Sequence, residues 1–200
     1  MTPNRRADAQ RSRAAVLDAA VRLLGTRPDA SVEAIATAAG VTRQTVYAHF
    51  PNRDRLLAAV VDRLTEETAA AMDATGPDTG PAAAALLRLL DAGAETAGRY
   101  PALLEKISSV AVPPQDDHER HTLISDRLLR VIRRGQDSGE FDDRLPAAWL
   151  ATVTIKLAHA AAEETAAGRL PRAEATRAFH TTLLRALAAP PPLPEPGKTA

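Results

Sequence analysis

Between Thr42 and Arg53 the chain places Arg43, Gln44, Thr45, Tyr47 and His49 within two helical turns, with no acid among them. Two of these side chains match base edges: a guanidinium forks onto guanine O6 and N7, and a carboxamide pairs with adenine N6 and N7. Thr42, Thr45, Tyr47 and His49 carry short or rigid polar tips suited to phosphate oxygens. The charge distribution points the same way. Basic and acidic residues balance at 25 each over the 200 residues, yet residues 1–55 hold nine arginines and five acids, a net of +4. A basic N-terminal unit on a mildly acidic remainder is the asymmetry expected of a small nucleic-acid-binding head on a regulatory trunk.

Such side chains read nothing unless a helix holds them out from a core. Val46 and Phe50, at i and i+4, supply the inward face of that helix, Thr42 its N-cap and Pro51 its stop. Ahead of it, Ser31 caps a short helix whose Val32, Ile35, Ala36 and Ala39 fall at i, i+3, i+4 and i+7, and Gly40 ends it. Two short helices joined by Ala39-Gly40-Val41-Thr42 read as a helix-turn-helix, whose second helix is the natural occupant of a major groove. Arg43 and Gln44 lie in its first turn, the end such helices push deepest, and are therefore the expected base readers. Arg53 opens the following helix, where a cation gains little from the helix dipole, so an anionic partner accounts for it.

The remaining elements follow from periodicity and punctuation. A first helix is expected from about Asp8 to Leu24, stopped by Gly25. Asn52 caps a long helix to about Ala74, Thr75 to Pro81 is a loop, and Pro81 opens a helix to about Arg99. Pro101 starts a short helix to about Val110, and Pro113 and Pro114 impose a loop. Asp116 or Asp117 caps a helix carrying Ile124, Leu128, Val131 and Ile132, which closes at Ser138-Gly139. Pro146 opens a helix to about Ala167, and Pro171 opens a last one to about Ala188. Residues 190–200 read as a polyproline-like tail. With 43 alanines and 3% aromatic residues, the composition is that of an all-α chain. The expected organisation is a helix-turn-helix domain over 1–51, a larger helical domain over 52–189 and a disordered tail over 190–200.

Several chemistries are excluded. With no cysteine there are no disulfides, thiolate zinc sites or cysteine nucleophile, and no positive sign of secretion. Apolar runs reach only about six residues and no signal peptide opens the chain, so a cytoplasmic protein without a membrane span is expected. G-x-S-x-G, P-loop and HExxH patterns are absent, and neither an enzyme nor a cofactor is expected. His118-x-x-His121 beside Asp117 lacks a third ligand of clear spacing and reads as a solvated helix start, not a metal site.

In the trunk, Lys156 sits in the apolar stretch from Trp149 to Ala162 with no acid at i±3 or i±4. It either meets a ligand carboxylate in a cavity shaped by Leu104, Ile107, Trp149 and Val153, or snorkels to solvent. The last two helices offer Leu157 and Ala161 on one and Phe179, Leu183, Leu184 and Leu187 on the other. These residues are candidates for a twofold interface or for closing the monomer core.

The string Val32-x-x-Ile35-Ala36-x-x-Ala39-Gly40-Val41-Thr42-x-x-Thr45-Val46-Tyr47-x-His49-Phe50-Pro51-Asn52-Arg53 closely resembles the N-terminal signature of the TetR family of transcriptional regulators. The resemblance spans about residues 10–64. It implies an N-terminal three-helix DNA-binding domain followed by a larger helical ligand-binding and dimerisation domain. It also implies a homodimer, usually a repressor, released from a palindromic DNA operator by a small-molecule effector. By position, Ser31, Thr42, Thr45, Tyr47, His49 and Arg53 correspond to family phosphate contacts, and Arg43, Gln44 and Ala48 to groove-facing positions. Glu33 stands where some members place a base-reading arginine, and Arg53 replaces the more usual lysine, keeping the charge but changing its geometry. A helical protein-binding adaptor with the same fold, or an α-helical enzyme with a trunk-cavity site, would have no evident use for Arg43, Gln44, Tyr47, His49 and Arg53.

Overall fold

Alanine and leucine at helical spacing leave the backbone little alternative to helix, and eight α-helices form among the described residues. The computed structural model describes residues 3–100, 103 and 114–189, with side chains from 7 onward and, in the sixth helix, from 122 onward. The helices are α1 (Pro3–Thr26), α2 (Val32–Ala38), α3 (Arg43–His49), α4 (Arg53–Ala74), α5 (Ala82–Gly98), α6 (Pro114–Asp137), α7 (Ala147–Ala166) and α8 (Arg172–Leu187). Among these residues the only β pairing is an isolated bridge between Phe141 and Ala188. The expected short helix over 101–110, apart from Leu103, and the tail over 190–200 lie outside the described residues.

Two starts and one stop differ from expectation. α1 begins at Pro3 instead of Asp8, and α6 at Pro114 instead of Asp116 or Asp117. Proline suits a first helical position, because its missing N–H has no intrahelical partner there in any case. Gly25 does not stop α1, which continues to Thr26. Its role is close approach: a Cβ there would stand 2.8 Å from Cδ1 of Tyr100.

The chain divides into two compact units, one of residues 1–72 with 91–124 and one of residues 73–90 with 125–200. The first extends beyond residue 51, because α1, α2 and α3 share one core with Leu56, Leu57, Val60 and Leu64 of α4 and with Leu103. Val16, Ala20, Leu24, Ile35 and Val46 are at or below 1% exposure in that core, as their helical spacing requires.

In the second unit α7 packs on α8, and the core gathers Leu86, Leu89, Leu128, Val131, Ile132, Phe141, Leu150, Leu183 and Leu187. Phe141 seats against Gly135, where a Cβ would fall 2.1 Å from the ring. The Asp142 N–H then donates to the Leu187 carbonyl at 2.9 Å. Arginines hold the 75–81 loop by its carbonyls. Arg88 donates to the carbonyls of Gly76 and Thr79 at 3.3 and 3.0 Å, and Arg134 to those of Pro77 and Gly80 at 3.1 and 2.6 Å. Glu140 caps the start of α5 from a distance in sequence, accepting from the Ala82 and Ala83 N–H groups at 2.8 and 3.0 Å.

Candidate nucleic-acid interface and a partly open cavity

The helix-turn-helix is built by three side-chain caps and one glycine. Ser31 Oγ accepts from the Ala34 N–H at 3.1 Å, Thr42 Oγ1 from Thr45 N–H at 3.1 Å, and Asn52 Oδ1 from Arg55 N–H at 2.8 Å. Between α2 and α3 the backbone turns at Gly40, whose φ of 68° favours a residue without Cβ. The Val41 N–H closes that turn on the Ala36 carbonyl at 3.0 Å. Val46 and Phe50 then anchor α3 at 1% and 3% exposure. The outward face follows by elimination: Thr42, Arg43, Gln44, Tyr47 and Ala48 are exposed, and Thr45 and His49 half-buried.

The polar residues of α3 are partly organised already. The Arg43 guanidinium carbon lies 5.4 Å from the centre of the Tyr47 ring, and its Nη2 donates to the Tyr47 hydroxyl at 3.4 Å. Thr42 and Thr45 share a hydroxyl contact at 2.9 Å. His49 Nε2 lies 3.2 Å from Ser12 Oγ of α1, and Arg13 of α1 stands 5.1 Å from the centre of the Phe50 ring. The C-terminal end of α3 is thus held by α1, while its N-terminal end, with Arg43 and Gln44, is free to reach outward.

Arg53 has a role that helix-dipole reasoning did not reveal. Its Nη1 donates to the Ala30 carbonyl at 2.5 Å and its Nη2 to the Pro28 carbonyl at 3.2 Å. The guanidinium therefore ties the loop between α1 and α2 to the start of α4. Two of its five N–H donors are engaged in this way, so the remaining ones can still meet a phosphate.

The trunk residues fall differently from the sequence expectation. Trp149 is 58% exposed, Lys156 is exposed and Val153 half-buried, whereas Leu104 and Ile107 lie outside the described residues. Lys156 is thus exposed beside the buried Thr154, as the alternative of an end in solvent expects. Of the residues offered for a twofold interface, Leu183 and Leu187 are 0% exposed within their own unit and belong to its core. Leu157, Ala161, Phe179 and Leu184 are half-buried.

A partly open cavity of about 120 Å³ lies instead in the first unit, lined by Val61, Leu64, Thr65 and Thr68 of α4, Thr96 and Ala97 of α5, Tyr100 and Ile124, of which only Leu64 and Thr96 are buried. Sequence reasoning missed it. The only signal was a set of threonines on otherwise apolar helical faces, a pattern equally at home on a surface. Among the described residues no cluster of three or more His, Asp or Glu side chains is able to hold a metal ion. The His118 and His121 side chains lie outside those residues. No described helix is long and apolar enough to cross a membrane.

Among the described residues, a capped, outward-facing second helix in an N-terminal helix-turn-helix, followed by a larger helical remainder, is the architecture of a helix-turn-helix protein. Residues 16–60 match the profile of "Bacterial regulatory proteins, tetR family". Over that stretch, which carries the helix-turn-helix, the chain is similar to that family. It is 40% identical over 82 residues to the HTH-type transcriptional repressor LfrR of Mycolicibacterium smegmatis, a stretch covering 41% of this chain and 43% of that protein. The match thus spans less than half of that relative. The crystal structure of LfrR from Mycobacterium smegmatis in complex with proflavine is similar at a TM-score of 0.65 and 28% identity, covering 90% of this chain and 99% of the other. A Rhodococcus protein of unknown function shares the fold at a TM-score of 0.74 and 24% identity, over 88% of this chain and 95% of that one.

Proposed function

We propose that the chain is a homodimeric transcriptional repressor that binds a palindromic operator through α3 and leaves it when a small-molecule effector occupies the cavity between α4 and α5. The observation that carries this reading is the exposed pair Arg43 and Gln44 in the first turn of a helix whose opposite face, Val46 and Phe50, is locked in the core. Arg43 and Gln44 read bases, with Ala48 facing the groove beside them. Ser31, Thr42, Thr45, Tyr47, His49 and Arg53 hold phosphates. Ser31 is consistent with that role, because a cap hydroxyl that accepts from the backbone keeps its own proton to donate.

Two reading heads require a twofold partner. Trp149, 58% exposed at the start of α7, is the apolar surface that a second copy would cover, joined by the half-buried Leu157, Ala161, Phe179 and Leu184. The experiment is a retardation titration of the purified chain on duplexes flanking its own gene at several salt concentrations. Saturable preference for one palindromic duplex supports the reading, and equal binding to all duplexes overturns it.

A further inference from the structure

The hydroxyls around the cavity are already committed. Thr65 Oγ1 donates to the Val61 carbonyl at 3.0 Å, Thr68 Oγ1 to the Leu64 carbonyl at 2.8 Å and Thr96 Oγ1 to the Ala92 carbonyl at 3.0 Å. Each threonine has one proton to give. All three have placed it on their own helix, so none has a donor left for a guest. The other described lining residues are Val61, Leu64, Ala97, Tyr100 and Ile124, and none of the described lining residues is charged. Thr96, 2% exposed, is the most deeply set of the polar ones.

A carboxylate or phosphate seated against Leu64 and Thr96, the buried part of the lining, would lose hydration there, and among these residues only the Tyr100 hydroxyl could donate to it, a costly exchange. An ammonium would likewise find no carboxylate. An apolar ring would find methyl groups, leucine and isoleucine side chains and the tyrosine ring, the surroundings in which it gains most. The volume of about 120 Å³ is of the order of the roughly 150 Å³ apolar cavities that accept one benzene-sized molecule.

We propose that the effector is a small uncharged molecule built on a single six-membered ring, and that the pocket discriminates against its carboxylate counterparts through the committed threonine protons. This rests on the reading of the cavity as the effector site.

The test uses the full chain with three probes of matched shape: toluene, benzoate and benzylamine. Calorimetric titration should show toluene binding and benzoate weaker by about tenfold or more. Thr68→Phe, which fills the space, should abolish toluene binding. Ala97→Leu, at an exposed position that tolerates a larger side chain, should weaken it in a fold that is not in question. Benzoate or benzylamine binding as tightly as toluene, or toluene binding unchanged in both variants, would overturn the proposal. So would the failure of all three probes to bind. The operator titration run on the same preparation separates the two readings: intact operator preference with no ring binding sinks the ligand class alone, whereas absent operator preference sinks the regulator.

Discussion

Gly25 of α1 lies so close to the ring of Tyr100 that a Cβ at Gly25 would stand 2.8 Å from Cδ1 and 3.5 Å from Cε1. Tyr100 also lines the cavity. On α1, Ser12 contacts His49 and Arg13 covers Phe50. One helix therefore touches both the wall of the cavity and the C-terminal end of α3.

Gly25→Ala should destabilise the chain. The overlap with Tyr100 costs about 1–3 kcal/mol, more than the about 0.5–1 kcal/mol that alanine gains over glycine in a helix. The check is a double-mutant cycle by urea unfolding: in a Tyr100→Ala background the sign should reverse, and Gly25→Ala should stabilise. Identical effects in both backgrounds would show that the ring is not the obstacle.

Arg53→Ala should lower stability and operator affinity together, because the guanidinium holds the Ala30 and Pro28 carbonyls. Losing these charge-assisted bonds from a half-buried position costs about 1–3 kcal/mol. Arg53→Lys keeps the charge but not the fork, and should recover the salt dependence of DNA binding without recovering the melting temperature. A variant whose melting temperature is unchanged while its salt slope falls by about one would make Arg53 a phosphate contact only.

Gln44→Ala and Arg43→Ala should each cost about 1–3 kcal/mol on the operator and relax discrimination at one base pair per half-site. Tyr47→Ala should relax discrimination at the same base pair as Arg43→Ala, because the Tyr47 ring carries the Arg43 guanidinium at 5.4 Å. Tyr47→Phe, which keeps the ring, should not. Titrations against operator and point-substituted duplexes distinguish these outcomes. Equal discrimination by Tyr47→Ala and wild type would show that the stack does not aim Arg43.

Acid should loosen the second unit through Asp142 and Glu140. The Arg144 side chain, donating to Asp142 at 2.9 and 2.7 Å, holds that carboxyl down to about 2. The Glu140 carboxyl is lowered by the two backbone N–H groups at the start of α5. A carboxyl depressed in the folded state contributes fully above its unfolded pKa, and the contribution fades as pH falls through the folded one. For Asp142 that window runs from the ordinary carboxylate range down to about 2. Asp142→Asn should therefore flatten the loss of stability over that interval, as followed by circular dichroism across an acid titration. A curve parallel to wild type would remove Asp142 from the account.

Leu183→Asp and Trp149→Ser should fail in different ways. Leu183 is 0% exposed within its own unit, so a buried, unpaired carboxylate there should unfold the unit, seen as lost helicity. Trp149 is 58% exposed, so its replacement should leave the helicity intact and shift the sedimentation equilibrium towards monomer. A folded Trp149→Ser dimer as tight as wild type would place the interface elsewhere.

The helices, their caps and the helix-turn-helix were legible because the information is local. Ser31, Thr42 and Asn52 bond backbone N–H groups three residues ahead, and Val46 and Phe50 share a face by the helical repeat alone. Resemblance to a known family rests on that same local stretch. Tertiary packing decided everything that needed a partner distant in sequence. Periodicity shows that Leu183 and Leu187 share a face with Phe179 and Leu184, but not which of them their own chain covers. Gly25 looks like a helix stop until Tyr100 arrives against it, and Arg53 looks like a free cation until the Pro28 and Ala30 carbonyls occupy its fork. The cavity follows the same rule. Its wall is assembled from α4, α5, Tyr100 and Ile124, and an empty volume is a property of how faces fail to meet, which no single segment encodes.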